Sequence, residues 1–173
     1  ARWHHGAATD AATRAAADRL VVDIFQGFDG DWSEFDRGVL APAELAERIA
    51  RHQADRGESW ATVEAPLELA GAVAALPSDA IAVVDCLTLW LSNQMLAERD
   101  VEAACAELVA TVAACPARLW LVSNEVGLGI VPETPLGRRF RDEAGRLNQR
   151  LAATVDEVYF VAAGLPLKMK PQG

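Results

Sequence analysis

The chain has 173 residues, a formal charge of −9 at pH 7 and a sequence pI of about 4.8. This length is typical of one domain with a sizeable core. Hydrophobic residues make up 51% of the chain and charged residues 24%, which is ordinary for a globular protein. The acidic balance argues against a general binder of nucleic acid or anionic membranes, because both require an excess of Lys and Arg. A small phosphorylated substrate is compatible with it, since such a substrate needs only a local basic cluster.

Neither a membrane span nor a secretory signal is evident. No apolar run reaches the roughly 18 residues of a span, and the first residues, ARWHHGAATDAATR, lack an apolar middle. Cys86, Cys105 and Cys115 lie in apolar segments, and no C-x-x-C pair is present. We therefore expect a cytoplasmic protein with buried thiols rather than disulfides, and with no metal held by cysteine.

The first third of the chain predicts two helices separated by a short strand and a loop. Residues 7–19 are rich in alanine and predict a helix, and the β-branched run 20–25 predicts a strand. A loop rich in Gly and Asp follows. The second helix begins at Pro42 and ends at Gly57, with Leu45, Ile49 and His52 on one stripe.

The middle of the chain predicts a buried strand between helices. Pro66 begins a helix that runs to Leu76, and the continuous apolar run 80–85 is typical of a central parallel strand. Residues 86–98 predict mixed loop and helix. Asp100 is suited to N-cap the next helix, which Pro116 ends.

The last third repeats the pattern. Residues 118–123 predict another buried strand, and a loop follows. Thr134 is suited to cap a long helix from Pro135 to about Val155, and residues 157–162 predict a last strand. Strands that alternate with helices indicate one α/β domain over residues 1–173, with a mostly parallel sheet flanked by helices.

Polar side chains follow two of the predicted strands at their carboxyl ends, where open α/β sheets bind ligands. Asp85 ends one strand, with Thr88 just beyond, and Ser123-Asn124-Glu125 ends the other. A carboxylate in this place commonly holds Mg²⁺ or orders a water near a nucleotide phosphate. The alternative is that Asp85 only caps the segment that follows, and we favour the functional carboxylate.

Two further segments, the loop after the strand 118–123 and the helix that follows it, could serve either a structural or a binding role. The segment NEVGLGIVPETP, residues 124–135, has two glycines but not the third of a dinucleotide fingerprint, and its length favours a binding loop over a plain connection. The next helix is rich in arginine, which indicates a solvated face, with a phosphate-facing rim as the alternative. These arginines are Arg138, Arg139, Arg141, Arg146 and Arg150.

His52 is the only histidine after residue 5, and it lies among Arg48, Arg51 and Arg56. One interpretation is a surface histidine near a helix end, which the residues alone favour. The other is a nucleophile that attacks phosphorus and carries the group covalently. Nearby arginines favour the neutral imidazole that such attack requires, whereas a helix C-terminus favours the cation.

Three stretches, residues 47–69, 80–93 and 121–170, closely resemble the bifunctional adenosylcobinamide kinase / adenosylcobinamide-phosphate guanylyltransferase family of cobalamin biosynthesis. The resemblance implies an enzyme that phosphorylates adenosylcobinamide and then transfers GMP from GTP to the phosphate. In the family pattern R-I-x-x-H, which is here Arg48-Ile49-Ala50-Arg51-His52, the histidine carries GMP. The residues that the resemblance assigns to GTP binding are Gln53, Ala54, Asp55, Arg56, Glu64 and Asp85.

The resemblance also implies a P-loop NTPase-like fold of the RecA-like kind, assembled as a homotrimer. It implies GTP and possibly ATP as substrates, Mg²⁺, and adenosylcobinamide or its phosphate as partner. Nucleic acid and membranes are not expected partners.

The start of the chain departs from the family. Residues 43–170 are family-like, but residues 1–42 carry no G-x-x-x-x-G-K-[ST] phosphate loop, and no Lys precedes Lys168. A truncated or frame-shifted start is the favoured explanation. The others are a relative that binds nucleotide or corrinoid without turnover, and a start that binds phosphate in another way. A different small-molecule kinase on the same scaffold is a weaker hypothesis, since it also requires the Lys.

Overall fold

The computed structural model describes residues 19–23 and 60–171. The predicted helices over residues 7–19 and from Pro42 to Gly57 lie outside these ranges, except for Arg19, which begins a strand. The described elements, in chain order, are β1 (Arg19–Asp23), β2 (Ala61–Glu64), α1 (Leu69–Ala74), β3 (Ile81–Asp85), α2 (Leu87–Leu96), α3 (Val101–Ala114), β4 (Arg118–Val122), α4 (Pro135–Thr154), β5 (Val158–Ala162) and β6 (Leu165–Lys170).

Four strands form a parallel sheet in the order β2-β1-β3-β4. The predicted α/β architecture is therefore confirmed, and the run 80–85 is a central strand as expected. The sequence did not predict β2, because its four residues, ATVE, include no run of large apolar side chains. Helices connect β2 to β3 and β3 to β4, as parallel neighbours require.

The core lies between one face of this sheet and the four helices. Ala82 and Val84 point into it from β3, because alternate residues of a strand point to opposite faces. The largest fully buried side chains, most of them contributed by the helices, are Trp90, Leu69, Leu91, Leu108, Leu147, Val73 and Val84.

The other face of the sheet is open on β4. Trp120 and Val122 lie on the opposite side of β4 from Leu119 and Leu121, and are 56% and 42% exposed. Residues 118–122 form a strand as predicted, but the prediction that this strand is buried is wrong. Within the described residues β4 is an edge strand, and only one of its faces packs against the helices.

Two helix starts agree with the caps that the sequence predicts. The side chain of Asp100 accepts a hydrogen bond from the Ala103 amide at 3.1 Å, and that of Thr134 accepts one from the Gly137 amide at 3.1 Å. Two other predictions need correction. The helix expected to begin at Pro66 begins at Leu69, and the stretch predicted as mixed loop and helix is the continuous helix α2.

The strand predicted as the last one is instead half of a separate antiparallel hairpin. β5 pairs with β6, which the sequence did not predict, and a two-residue turn joins them. Ala163 and Gly164 both have positive φ, at 52° and 79°, as the tightest hairpin turns require. The hairpin is tied to α4, because the Lys170 ammonium donates to carbonyl oxygens near the helix end, those of Ala152, Ala153 and Val155.

The three thiols differ in burial. Cys105 on α3 is buried, whereas Cys86 and Cys115 are half-buried, so the expectation of buried thiols holds fully only for Cys105. Burial is the main reason that the pKa of the Cys105 thiol rises to about 11. None of the helices in the described residues is long and apolar enough to cross a membrane.

Candidate functional site

Carboxylate residues lie in register at the carboxyl edge of the parallel sheet. Glu64 ends β2 and is aligned with Asp23 of β1, which is aligned in turn with Asp85 of β3. Residues in register on parallel neighbours point to the same face, so Glu64 and Asp85 share one face. They lie two strands apart, roughly 10 Å between Cα atoms at the usual strand spacing. Glu64 is exposed and Asp85 is half-buried.

The helix α2 begins two residues after Asp85 and holds the chain that follows β2. Trp90 Nε1 and Gln94 Nε2 donate to the carbonyl oxygen of Leu67 at 3.0 and 2.7 Å. Asn93 Nδ2 donates to the carbonyl oxygen of Pro66 at 3.2 Å. These side chains are buried, where a hydrogen bond is needed to offset desolvation. They fix the direction in which the chain leaves the edge after Glu64.

The first turn of α2 also holds the chain that follows β4. Thr88 Oγ1 accepts a hydrogen bond from the Asn124 amide at 3.3 Å, and the Cys86 thiol lies 3.2 Å from the same hydroxyl. From α4, Asn148 accepts a bond from the Ser123 hydroxyl at 2.7 Å and donates to the Asn124 carbonyl oxygen at 3.5 Å. The polar segment after β4 is thus fixed by two helices.

Sequence reasoning singled out Asp85, Thr88 and the segment 123–125, and the structure brings all of them to this one edge. It missed the side chains on α2 and α4 that hold the edge in place. A signal for burial was present only at Asn93 and Gln94, because polar residues inside an apolar helical stretch indicate buried hydrogen bonds, but it did not identify their partners. The residues missed are Trp90, Asn93, Gln94 and Asn148.

The arginines of α4 mostly serve local pairs. Arg138 donates to the carbonyl oxygens of Pro132 and Glu133, at 3.1 and 2.7 Å. Arg141 pairs with Asp142, Arg146 with Glu143, and Arg150 with Glu102 on α3. These contacts agree with the solvated face that the sequence favoured, with Arg138 in the additional role of loop anchor.

The predicted nucleotide-binding residues fall in two groups. Glu64 and Asp85 lie at the carboxyl edge, as described above. His52, Gln53, Ala54, Asp55 and Arg56 lie outside the described residues.

The side chains at this edge that could hold a metal ion are the carboxylates of Glu64 and Asp85. Within residues 19–23 and 60–171, no group of three or more His, Cys, Asp or Glu side chains is placed to hold a metal ion. Mg²⁺ is commonly bound through one or two carboxylates together with substrate phosphates. Asp85 and Glu64 supply carboxylates of that kind at the ligand edge.

These features define the class of protein: an α/β fold with polar side chains gathered at the carboxyl edge of a parallel sheet, where open α/β folds commonly bind ligands. The sequence model described as cobinamide kinase / cobinamide phosphate guanyltransferase matches residues 38–169. The chain belongs to this family, as the sequence resemblance predicted, and the family has a P-loop-type fold.

Curated relatives agree with the family assignment. The chain is 44% identical over 133 residues to the bifunctional adenosylcobalamin biosynthesis protein CobP of Pseudomonas aeruginosa, covering 73% of this chain and 75% of the relative. It is 40% identical over 144 residues to the bifunctional adenosylcobalamin biosynthesis protein CobU of Salmonella typhimurium, and 37% identical over 143 residues to CobU of Escherichia coli. In both cases the match covers 73% of this chain and 79% of the relative.

Proposed function

We propose that this chain transfers GMP from GTP to adenosylcobinamide phosphate, with His52 as the covalent carrier. Phosphorylation of adenosylcobinamide is part of the proposal only if the kinase step survives without the G-x-x-x-x-G-K-[ST] loop, which residues 1–42 do not carry. One observation carries the proposal: the family match over residues 38–169 includes the R-I-x-x-H pattern that ends at His52. The domain is a single nucleotide-binding unit of the RecA-like kind over residues 1–173 in this proposal.

The guanylyl transfer has two chemical steps. In the first, an imidazole nitrogen of His52 attacks the α-phosphorus of GTP, a nitrogen–phosphorus bond forms, pyrophosphate leaves, and the imidazole loses its N–H proton to solvent. In the second, a phosphate oxygen of adenosylcobinamide phosphate attacks the same phosphorus. The new bond is a pyrophosphate linkage, and the imidazole departs and regains a proton.

The residues around the two steps have separate roles. Gln53, Ala54, Asp55 and Arg56 follow the carrier histidine and contact the guanine nucleotide, and Arg56 also offsets charge that develops on the phosphate. Glu64 and Asp85 bind GTP at the carboxyl edge, and their shared face supports this assignment. Mg²⁺, when bound with GTP, neutralises phosphate charge.

The order of the strands supports a nucleotide site on the face of the sheet that Glu64 and Asp85 share. Crossover connections between parallel strands are right-handed. The connections from β2 to β3 and from β3 to β4 run in one direction along the sheet and carry the helices on one face. Glu64 and Asp85 are in register with Asp23 and belong to the opposite face, so these helices pack on the other side of the sheet from the two carboxylates.

Intact-protein mass spectrometry tests the carrier role. Wild-type protein incubated with GTP and Mg²⁺ should gain the mass of one GMP group, and His52→Ala should gain none. The chain offers a matched control, because its only other histidines are His4 and His5. The double variant His4→Ala/His5→Ala should form the adduct as the wild type does.

A folded wild type that gains no mass would overturn the guanylyltransferase proposal. Binding of GTP without an adduct would then support the alternative, a relative that binds nucleotide or corrinoid without turnover. The kinase step is tested separately by phosphate transfer from ATP or GTP to adenosylcobinamide. The homotrimer is tested by sedimentation, and the cytoplasmic location stays a prediction.

A further inference from the structure

The loop between β4 and α4 exposes a set of large aliphatic side chains beside the carboxyl edge. Leu128 and Ile130 are 77% and 98% exposed, and Val131 is also exposed. Val126, only two residues before Leu128, packs against the core. Single exposed aliphatic residues are common on protein surfaces. Three of them within residues 128–131 form a local apolar patch, and such patches commonly mark a binding surface.

The first half of this loop is held in place by hydrogen bonds. The Asn124 amide donates to Thr88 Oγ1 at 3.3 Å, and the Gly127 amide donates to the Glu125 carboxylate at 2.8 Å. A Cβ on Gly127 would lie 2.7 Å from that carboxylate oxygen, so a larger residue would displace the Glu125 side chain from this bond. These bonds hold the backbone just before the exposed side chains in place.

The second half is held against the first turn of α4. The Arg138 guanidinium donates to the carbonyl oxygens of Pro132 and Glu133. Gly137 packs so closely that a Cβ there would lie 2.8 Å from the Pro132 side chain. Because the loop is fixed at both ends, a ligand that binds its apolar side chains loses little free energy to ordering the loop. Ligand sites are usually preformed in this way.

The loop lies at the edge where the proposed reaction takes place. Val122 is aligned with Asp85, and the loop leaves the sheet one residue later, at Ser123. Any acceptor of GMP must reach this edge together with the nucleotide. The aliphatic side chains therefore belong to a loop that begins at this edge.

The chemistry of the patch fits the corrinoid rather than the other candidates. A nucleoside triphosphate offers mainly charged and polar groups, whereas the periphery of a corrin ring carries methyl and methylene groups between its amide side chains. A second copy of the chain would need roughly 800 Å² on each side for a stable interface, far more than three side chains supply. Resting on the function proposed above, we propose that Leu128, Ile130 and Val131 bind the apolar rim of the corrin ring of adenosylcobinamide phosphate.

The test measures corrinoid binding directly. The double variant Leu128→Ser/Ile130→Ser is compared with wild type by equilibrium dialysis against adenosylcobinamide phosphate, followed by the visible absorbance of the corrin. We expect the Kd to rise at least about tenfold, since two aliphatic contacts are lost. Leu165→Ser on the hairpin, where the leucine is 72% exposed, is the matched control and should leave the Kd unchanged.

Two further measurements separate this inference from the function on which it rests. GMP adduct formation from GTP and Mg²⁺ alone should be the same in the double variant and the wild type. An absent adduct with an intact corrinoid effect would overturn the carrier role of His52 and leave the loop assignment standing. An unchanged Kd, or wild-type protein that binds no corrinoid, would overturn the loop assignment. Loss of assembly in sedimentation would also overturn it, because the loop would then contact a second copy.

Discussion

The two faces of the parallel sheet differ in what the described residues place on them. On β3, Ala82 and Val84 are completely buried beneath the helices. On the neighbouring strand β4, Trp120 and Val122 point to the other face and are largely exposed. The helices therefore stabilise the fold from one side, while the other side of the carboxyl edge keeps Asp85 within reach of ligands.

A pair of identical substitutions on the two faces should give the largest contrast. Val84→Asp places an unpaired charge in the core and should lower the free energy of unfolding by about 4 kcal/mol or more. Val122→Asp lies on the open face and should change it by less than about 1 kcal/mol. Urea denaturation of both variants measures the difference, and equal losses would show that both faces are buried in solution.

Alkaline pH should lower the stability of the fold through Cys105, which is buried on the helix side of the sheet. Its pKa is raised from 9.0 to about 11, so the folded state holds the proton more tightly than the unfolded state. The contribution of Cys105 to stability should be complete below about pH 9 and fall by about 2–3 kcal/mol by pH 11, two pKa units at about 1.4 kcal/mol each.

Urea denaturation across this pH range, on wild type and Cys105→Ala, measures the effect. The variant should lose this part of the pH dependence, whereas Cys115→Ala, at a half-buried thiol, should keep it. A pH dependence that survives in Cys105→Ala would mean that another group is responsible.

The helix caps should have smaller effects of about 1 kcal/mol each. Asp100→Ala and Thr134→Ala each remove an acceptor for a first-turn amide and should destabilise the fold by that amount. Thr111→Ala is the matched control, because Thr111 lies inside α3 and bonds the Glu107 carbonyl oxygen of its own helix. It should be neutral or slightly stabilising in thermal unfolding, and an equal loss at Thr111 and Thr134 would argue against capping.

The sequence predicted those elements whose signals are local. Asp100 and Thr134 mark helix starts by their own side chains, and the apolar run 80–85 marks a central strand. The sequence did not predict β2, because its four residues have mixed polarity and are held as a strand by pairing with β1. β6 escaped because its turn, Ala163-Gly164, lacks the Asn-Gly or Asp-Gly signal of a tight hairpin.

For the candidate site, the sequence indicated which residues share the carboxyl edge, but not the hydrogen bonds that hold the neighbouring segments in place. Strand ends indicated Asp85 and the segment after β4, because parallel strands share a carboxyl edge. The bonds from Asn148 and Gln94 could not be predicted, since they join residues 24 and 27 positions apart. The exposure of one face of β4 could not be predicted either, because it depends on where all four helices pack.

The central claim is that GMP bound to His52 is an intermediate and not a by-product. Protein labelled with radioactive GMP from GTP, freed of nucleotide and then mixed with adenosylcobinamide phosphate measures this directly. The account predicts that the label leaves the protein and appears in the corrinoid product, at a rate no slower than overall turnover. Label that stays on the protein while product forms would contradict it.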